Sequence, residues 1–305
     1  MAERKSAPPP DVAEVKRRLG KVGVWLMSAG EASAEAERRL VVAIEQLGYG
    51  AFWFGEAPRT KEAFTHAAAV LSWTEHMQVA TGIANIWGRD AVTAANGAGT
   101  LGDAWPGRFV LGLGVSHAPV VNPRGHDYGK PLATMRSYLD AMDSVEFVPP
   151  LAETPPRVLA ALRPKMLELA KTRAQGAHTY FATPEHTARA REALGEDPVL
   201  AAELAVVVDT DAETARAAAR EYAAFYLKLP NYLNHLRELG FTDEDLKGSD
   251  ALIDAVIPWG DPDTIAERVR AHHEAGADHV CVQPIAATVD QQAEHLRLLA
   301  PVLTA

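Results

Sequence analysis

The chain of 305 residues holds a single cysteine, Cys281. No internal disulfide can form, and a zinc–thiolate cluster is excluded. Long apolar runs are missing too. No stretch reaches the roughly 18 apolar residues that a membrane-spanning helix needs. The opening residues, MAERKSAPPPDVAEVKRRLGK, lack the apolar core of a signal peptide, so a cytoplasmic location is expected. Positive charge is in deficit, with 30 Lys/Arg against 40 Asp/Glu and a net charge of −10. Nucleic acid and anionic membrane both require clustered positive charge, so neither is expected as a partner. What remains is 48% hydrophobic and 23% charged, a composition that folds into a globule and excludes disorder.

Residues 1–10 end in Pro8-Pro9-Pro10 and are expected to form an extended tail, followed by a short helix from Asp11 to Leu19. From Gly20 onward a regular alternation begins. Strand-like runs occur at 22–26, 51–55, 78–83, 108–114, 157–162, 177–182, 203–208 and 279–285. Several are apolar at successive positions, as parallel strands covered on both faces require. Amphipathic stretches separate them, such as 31–47 with Leu40, Val41, Ile44 and Leu47 on one stripe. Helix starts are marked by Thr183-Pro184, by Asp261-Pro262 and by a capping box of Thr210 with Glu213. Alternating strand and helix predicts right-handed crossovers. Eight units predict a (β/α)8 TIM barrel, with extra helices around 231–239 and 243–256 between the seventh and eighth strands. Residues 1–20 read as an N-terminal extension and 21–305 as one barrel domain.

Function in such a barrel gathers at the carboxyl ends of the strands. Those ends carry Trp25, Glu56, Asn85, Trp87, His117, Arg163, His178 and Gln283. Alternation along 51–55 turns Trp53 outward or into the helix layer. Familiar motifs fail. Gly112-Leu113-Gly114 starts like a dinucleotide fingerprint, but His117 stands where the third glycine belongs. There is no phosphate loop and no zinc helix, and no metal is expected. His272-His273 read as a solvated helix face and Cys281 as core. One feature suits an anion: the helix opened by ATPEHTARARE (182–192) directs unpaired amides toward the mouth, with Arg163 nearby.

Three segments, VATGIANIWGRD (79–90), PGRFVLGLGVSHAP (106–119) and GDPDTIAERVRAHHEAGADHV (260–280), resemble the bacterial luciferase-like superfamily, in its branch of coenzyme F420-dependent oxidoreductases. The resemblance runs from Val22 to about Leu303. It implies a barrel that holds a deazaflavin at its carboxyl-end mouth and acts on a small-molecule substrate, with homodimers formed through early helices. Gly82-Ile83 matches the dipeptide that forms a non-proline cis bond and backs the ring; Ala84 and Asn85 follow along the ring edge. Gly114, Val115 and Ser116 match a second cofactor-facing segment. Thr183, Pro184, Glu185 and His186 match the phosphate side, to which Arg163 and His178 are added.

Two departures shape the expected chemistry. Many members carry a histidine where this chain has Glu56, and sugar-phosphate-oxidising relatives carry a glutamate where it has His117. Sugar-phosphate dehydrogenase activity is therefore not transferred. Glu56 or His117 is expected to handle the proton that accompanies hydride transfer, and Trp25 and Trp87 to wall the substrate. Rival readings are an FMN-dependent monooxygenase on the same barrel and a flavin-binding protein without turnover. Replacing Glu56 and His117 together, by Gln and Asn, is expected to leave cofactor bound and to slow hydride transfer by at least about a hundredfold; unchanged turnover removes both from the role.

Overall fold

The computed structural model describes residues 10–304. The tail expected over 1–10 lies outside the described residues, apart from Pro10, which is buried. In chain order the strands are β1 Val22–Trp25, β2 Ala51–Phe54, β3 Gln78–Thr81, β4 Ala84–Asn85, β5 Phe109–Gly114, β6 Arg157–Ala160, β7 Gly176–Thr179, β8 Val199–Val206 and β9 His279–Pro284. The helices are α1 Val12–Leu19, α2 Ala34–Gln46, α3 Ala63–Trp73, α4 Ala91–Ala104, α5 Ala118–Val121, α6 Pro131–Asp143, α7 Pro164–Arg173, α8 Pro184–Leu194, α9 Ala212–Tyr226, α10 Pro230–Glu238, α11 Asp250–Val256, α12 Pro262–Glu274 and α13 Val289–Leu303.

All strand pairings are parallel, in the order β3-β2-β1-β9-β8-β7-β6-β5-β4, and a β3–β5 pairing closes the ring. Because β3 and β4 are two halves of one barrel strand, interrupted at residues 82–83, the ring has the eight-stranded form expected. Each strand buries both faces, one against the helix layer and one inside the ring. The inside holds Trp25, Trp53, Val110, Val158, Ala201 and Cys281. Trp53 thus points inward, contrary to the outward orientation that alternation suggests. Its indole N–H donates to His279 Nε2 at 3.1 Å, and it stacks on His178 at 4.8 Å. His279 Nδ1 in turn meets the Gly20 carbonyl at 2.8 Å. That carbonyl needs a donor, so the proton sits on Nδ1 and leaves Nε2 to accept.

Three further expectations change. The seventh barrel strand starts at Val199, four residues before the expected Glu203, because β8 pairs with β7 from Gly176↔Val199 onward. The cap of α9 is Asp211, whose carboxylate accepts from Thr214 N; the expected Thr210–Glu213 box is absent there. His272 faces inward, fully buried, with Nδ1 2.9 Å from Thr187 Oγ1; the α8–α12 contact covers the face that sequence alone reads as solvated.

Helix α1 starts on an Asp11 cap and buries Val15 and Leu19 in the same cluster as the ring interior. It closes the amino end of the barrel, leaving the carboxyl end as the mouth. Helices α9, α10 and α11 build a second apolar cluster over that mouth with Phe181, Val207 and Ile257. Leu19→Ala empties a fully buried position and is expected to destabilise the fold by about 3 kcal/mol in urea unfolding; a loss below about 1 kcal/mol would show that α1 is not a plug.

Candidate active site

The mouth is organised by the break between β3 and β4. Gly112 N and O both bond the Thr81 hydroxyl, at 2.9 and 2.8 Å, so a side chain replaces the ladder bonds that the backbone has abandoned. A side chain at Gly112 would run into the Thr81 carbonyl, so the close approach needs glycine there. The Gly82–Ile83 peptide is cis, as the resemblance implies. Trp25 Nε1 donates to the Gly82 carbonyl at 2.8 Å. A Cβ on Gly82 would fall 2.6 Å from that indole nitrogen and 3.1 Å from His178 Nε2. Trp25, Gly82 and His178 are therefore one packed unit. His178 lies beneath the break in the ring interior, and burial lowers its pKa to about 4, so it is neutral. It packs against the break at Gly82.

Glu56 is not a free proton carrier. Its carboxylate accepts from Asn85 N at 2.7 Å and Ala63 N at 3.2 Å, and it pairs with Arg89. Both side chains are nearly enclosed, at 11% and 7% exposure. This ion pair pins the backbone on the far side of the break. Asn85 accepts from Trp87 N at 3.0 Å through Oδ1, while its buried Nδ2 has no partner. Trp87 Nε1 donates to the Val115 carbonyl at 3.0 Å and so ties this rim to the segment after β5. Ser116 there adopts φ 56°, one of two non-glycine left-handed residues among those described, the other being Phe181 after β7. Such backbone concentrates at functional sites.

His117 directly precedes α5. It packs on Tyr232 of α10, with ring centroids 5.7 Å apart. Burial lowers its pKa, and a hydrogen bond with the Asn231 side chain opposes that shift. His117, one of the two candidates for the proton, thus packs against α10.

The phosphate-side residues are also arranged differently from expectation. Thr183 caps α8 by accepting from His186 N. Glu185 is kept ionised at the same terminus, chiefly by the Thr183 hydroxyl, and a carboxylate there competes with an anion. His186 is buried, bonded to the Leu162 carbonyl at 2.8 Å and edge-on to His235. Arg163 is half-exposed and paired with Glu238 of α10.

Of the floor of the mouth, sequence reading singled out Gln283 and missed its tyrosine partners. Tyr180 OH lies 2.6 Å from Tyr222 OH, 2.8 Å from Tyr226 OH and 3.0 Å from Gln283 Oε1. Glu203 lies inside the ring beside them, 1% exposed. Signals existed: Tyr222 and Tyr226 share a helical face at a spacing of four, and a glutamate inside a buried parallel strand is rare without a role.

A family profile described as luciferase-like monooxygenase matches residues 19–279. A 5,10-methylenetetrahydromethanopterin reductase of Methanolobus tindarius is 25% identical over 208 residues, 59% of this chain and 64% of that protein. A candidate coenzyme F420-dependent oxidoreductase of Mycobacterium tuberculosis is 32% identical over 126 residues, 41% of this chain and 36% of that protein. Both matches span less than two thirds of the relative's length. The solved structure of a coenzyme F420-dependent tetrahydromethanopterin reductase from Methanopyrus kandleri superposes with a TM-score of 0.74 at 17% identity, covering 93% of this chain and 98% of that one; at that identity it shows the fold.

Arg89→Met leaves the enclosed Glu56 carboxylate without its cation and is expected to cost about 3–5 kcal/mol in chemical denaturation. The Glu56→Gln, Arg89→Met double variant is expected to recover most of it. A single-variant loss below about 1 kcal/mol would show that the pair does not anchor the break.

Proposed function

The chain belongs to the luciferase-like monooxygenase family, and we propose that it is a cytoplasmic oxidoreductase that uses coenzyme F420 to transfer a hydride to or from a small organic substrate. The observation that carries this reading is the Asn85 amide. Its Nδ2 is buried and unpartnered where the broken strand resumes, and a buried donor left unmade costs about 1–3 kcal/mol. A carbonyl of a bound deazaflavin ring would supply the missing acceptor. The break itself is held in place from below, where Trp25 Nε1 donates to the Gly82 carbonyl and the absent Gly82 side chain leaves room for that indole and His178.

When bound, a deazaflavin supplies or accepts a hydride at its central ring carbon. The chain's own residues then have distinct tasks. Trp25 and the residues 82–85 orient the ring, and α9 and α10 keep water from the mouth. His117, its pKa lowered by burial, holds one proton on a neutral imidazole at neutral pH and can give or take a proton at the rim. Arg163 makes only an exposed pair with Glu238. Such pairs contribute about 0–1 kcal/mol, so a phosphate of the cofactor tail can displace the glutamate and gain a charge-assisted contact. The sequence relative described as a coenzyme F420-dependent oxidoreductase favours deazaflavin. The family description as monooxygenase favours FMN with oxygen as the second reading.

Asn85→Asp keeps the acceptor for Trp87 N and removes the donor. It is expected to weaken F420 binding about tenfold, one lost hydrogen bond, followed by quenching of tryptophan fluorescence, with FMN binding more weakly than F420 to the parent protein. Unchanged F420 affinity removes Asn85 from the cofactor site, and tighter FMN binding favours the second reading.

A further inference from the structure

Gln283 ends β9 inside the mouth. It stands two residues beyond Cys281, so it faces the ring interior as Cys281 does, one level higher. Its neighbour in register on β8 is Ala205. Tyr180 stands two residues beyond His178 and packs against the same interior cluster. The Tyr180 ring meets that of Trp25 edge-on at 5.1 Å, and Trp25 holds the Gly82 carbonyl. Contacts therefore run without a gap from Gln283 through Tyr180 and Trp25 to the break at residue 82.

The Gln283 oxygen is fully engaged. Oε1 accepts from Tyr180 OH at 3.0 Å and from Tyr222 OH at 2.9 Å. Tyr180, having given its proton to the amide, accepts from Tyr226 OH at 2.8 Å. An amide whose oxygen is gripped by two phenols cannot turn freely, so its nitrogen has a set direction. Nε2 makes no hydrogen bond within the described residues, and unlike Asn85 Nδ2 it is not sealed from solvent. Helix α1 plugs the amino end of the barrel, so solvent reaches this inward-facing atom through the mouth. Two N–H donors are thus presented to a ligand there, and an amide nitrogen donates without accepting.

The floor around these donors carries no charge at neutral pH. Burial raises the phenols of Tyr180, Tyr222 and Tyr226, and it raises the Glu203 carboxyl on β8 to about 8. A carboxylate or an ammonium group would be desolvated there at high cost. The ligand group that matches two N–H donors in an uncharged, aromatic surround is a neutral oxygen acceptor.

We propose that Gln283 is a specificity-determining residue, whose Nε2 binds a neutral carbonyl oxygen of the substrate while Tyr180 and Tyr222 hold the amide in position. This rests on the F420 reading for the reaction that follows; the contact itself forms without the cofactor.

The test is an NMR titration of isotope-labelled, cofactor-free protein. The side-chain amide signal of Gln283, identified by its loss in Gln283→Met, is expected to move when cyclohexanone is added. It is expected to stay in place with methylenecyclohexane, which keeps the shape and lacks the oxygen. Gln283→Met removes the donor, and Gln283→Glu does so while keeping an acceptor for both tyrosines. Each is expected to weaken cyclohexanone binding about tenfold, followed at the Trp25 indole signal; one variant still reports where the other fails to fold. An amide signal that ignores cyclohexanone overturns the proposal. So does tighter binding of cyclohexylammonium, the mark of an amide turned with its oxygen to the mouth, or of cyclohexanecarboxylate. Failure of the F420 reading is distinct: F420 does not bind, while cyclohexanone still moves the Gln283 signal.

Discussion

The hydrogen bond from the Trp25 indole to the Gly82 carbonyl is the contact on which the mouth depends. It holds the chain between Thr81 and Ala84 off the regular sheet, and each neighbouring feature answers to that displacement. The Thr81 hydroxyl takes over the ladder bonds to Gly112. The Glu56–Arg89 pair fixes the chain where it re-enters the sheet at Asn85. His178, stacked on Trp53, fills the space underneath. A buried backbone carbonyl turned away from its strand must find a donor; here one tryptophan supplies it.

The two levels of the mouth are built differently. The rim, with Asn85, Trp87 and His117, is built from loops after β4 and β5, where backbone and side chains can turn toward a ligand. The floor, with Glu203, Tyr180, Tyr222 and Gln283, is closed by helices inserted between β8 and β9. Those helices bring apolar bulk and lower the local polarizability, which is why carboxyl and phenol groups there keep their protons. The insertion shapes the chemistry of the floor as much as it covers the opening.

The barrel was legible in the sequence because its signal is repeated: apolar runs alternating with amphipathic helices set the ring, and Asp261-Pro262 and Thr183-Pro184 marked two helix starts correctly. The break at 82–83 was reached through resemblance to known proteins, since no local rule of composition points to it. Side-chain partners were not legible. Glu56 and His117 lie at strand ends as expected, yet their roles follow from Arg89 and from Asn231 and Tyr232, which no spacing connects to them. Trp53 and His272 were misread for one reason: period alone does not say which face of a strand or helix is the drier when both are covered. Glu203 was taken for the start of a strand, where a charge is ordinary; at mid-strand it is exceptional.

The most direct measurement is diffraction from crystals of this protein soaked with coenzyme F420. The account predicts density for a flat tricyclic ring lying on residues 82–85, with a ring carbonyl about 3 Å from Asn85 Nδ2. Density for the cofactor at any other place on the molecule, or a mouth that stays empty at saturating F420, would contradict it.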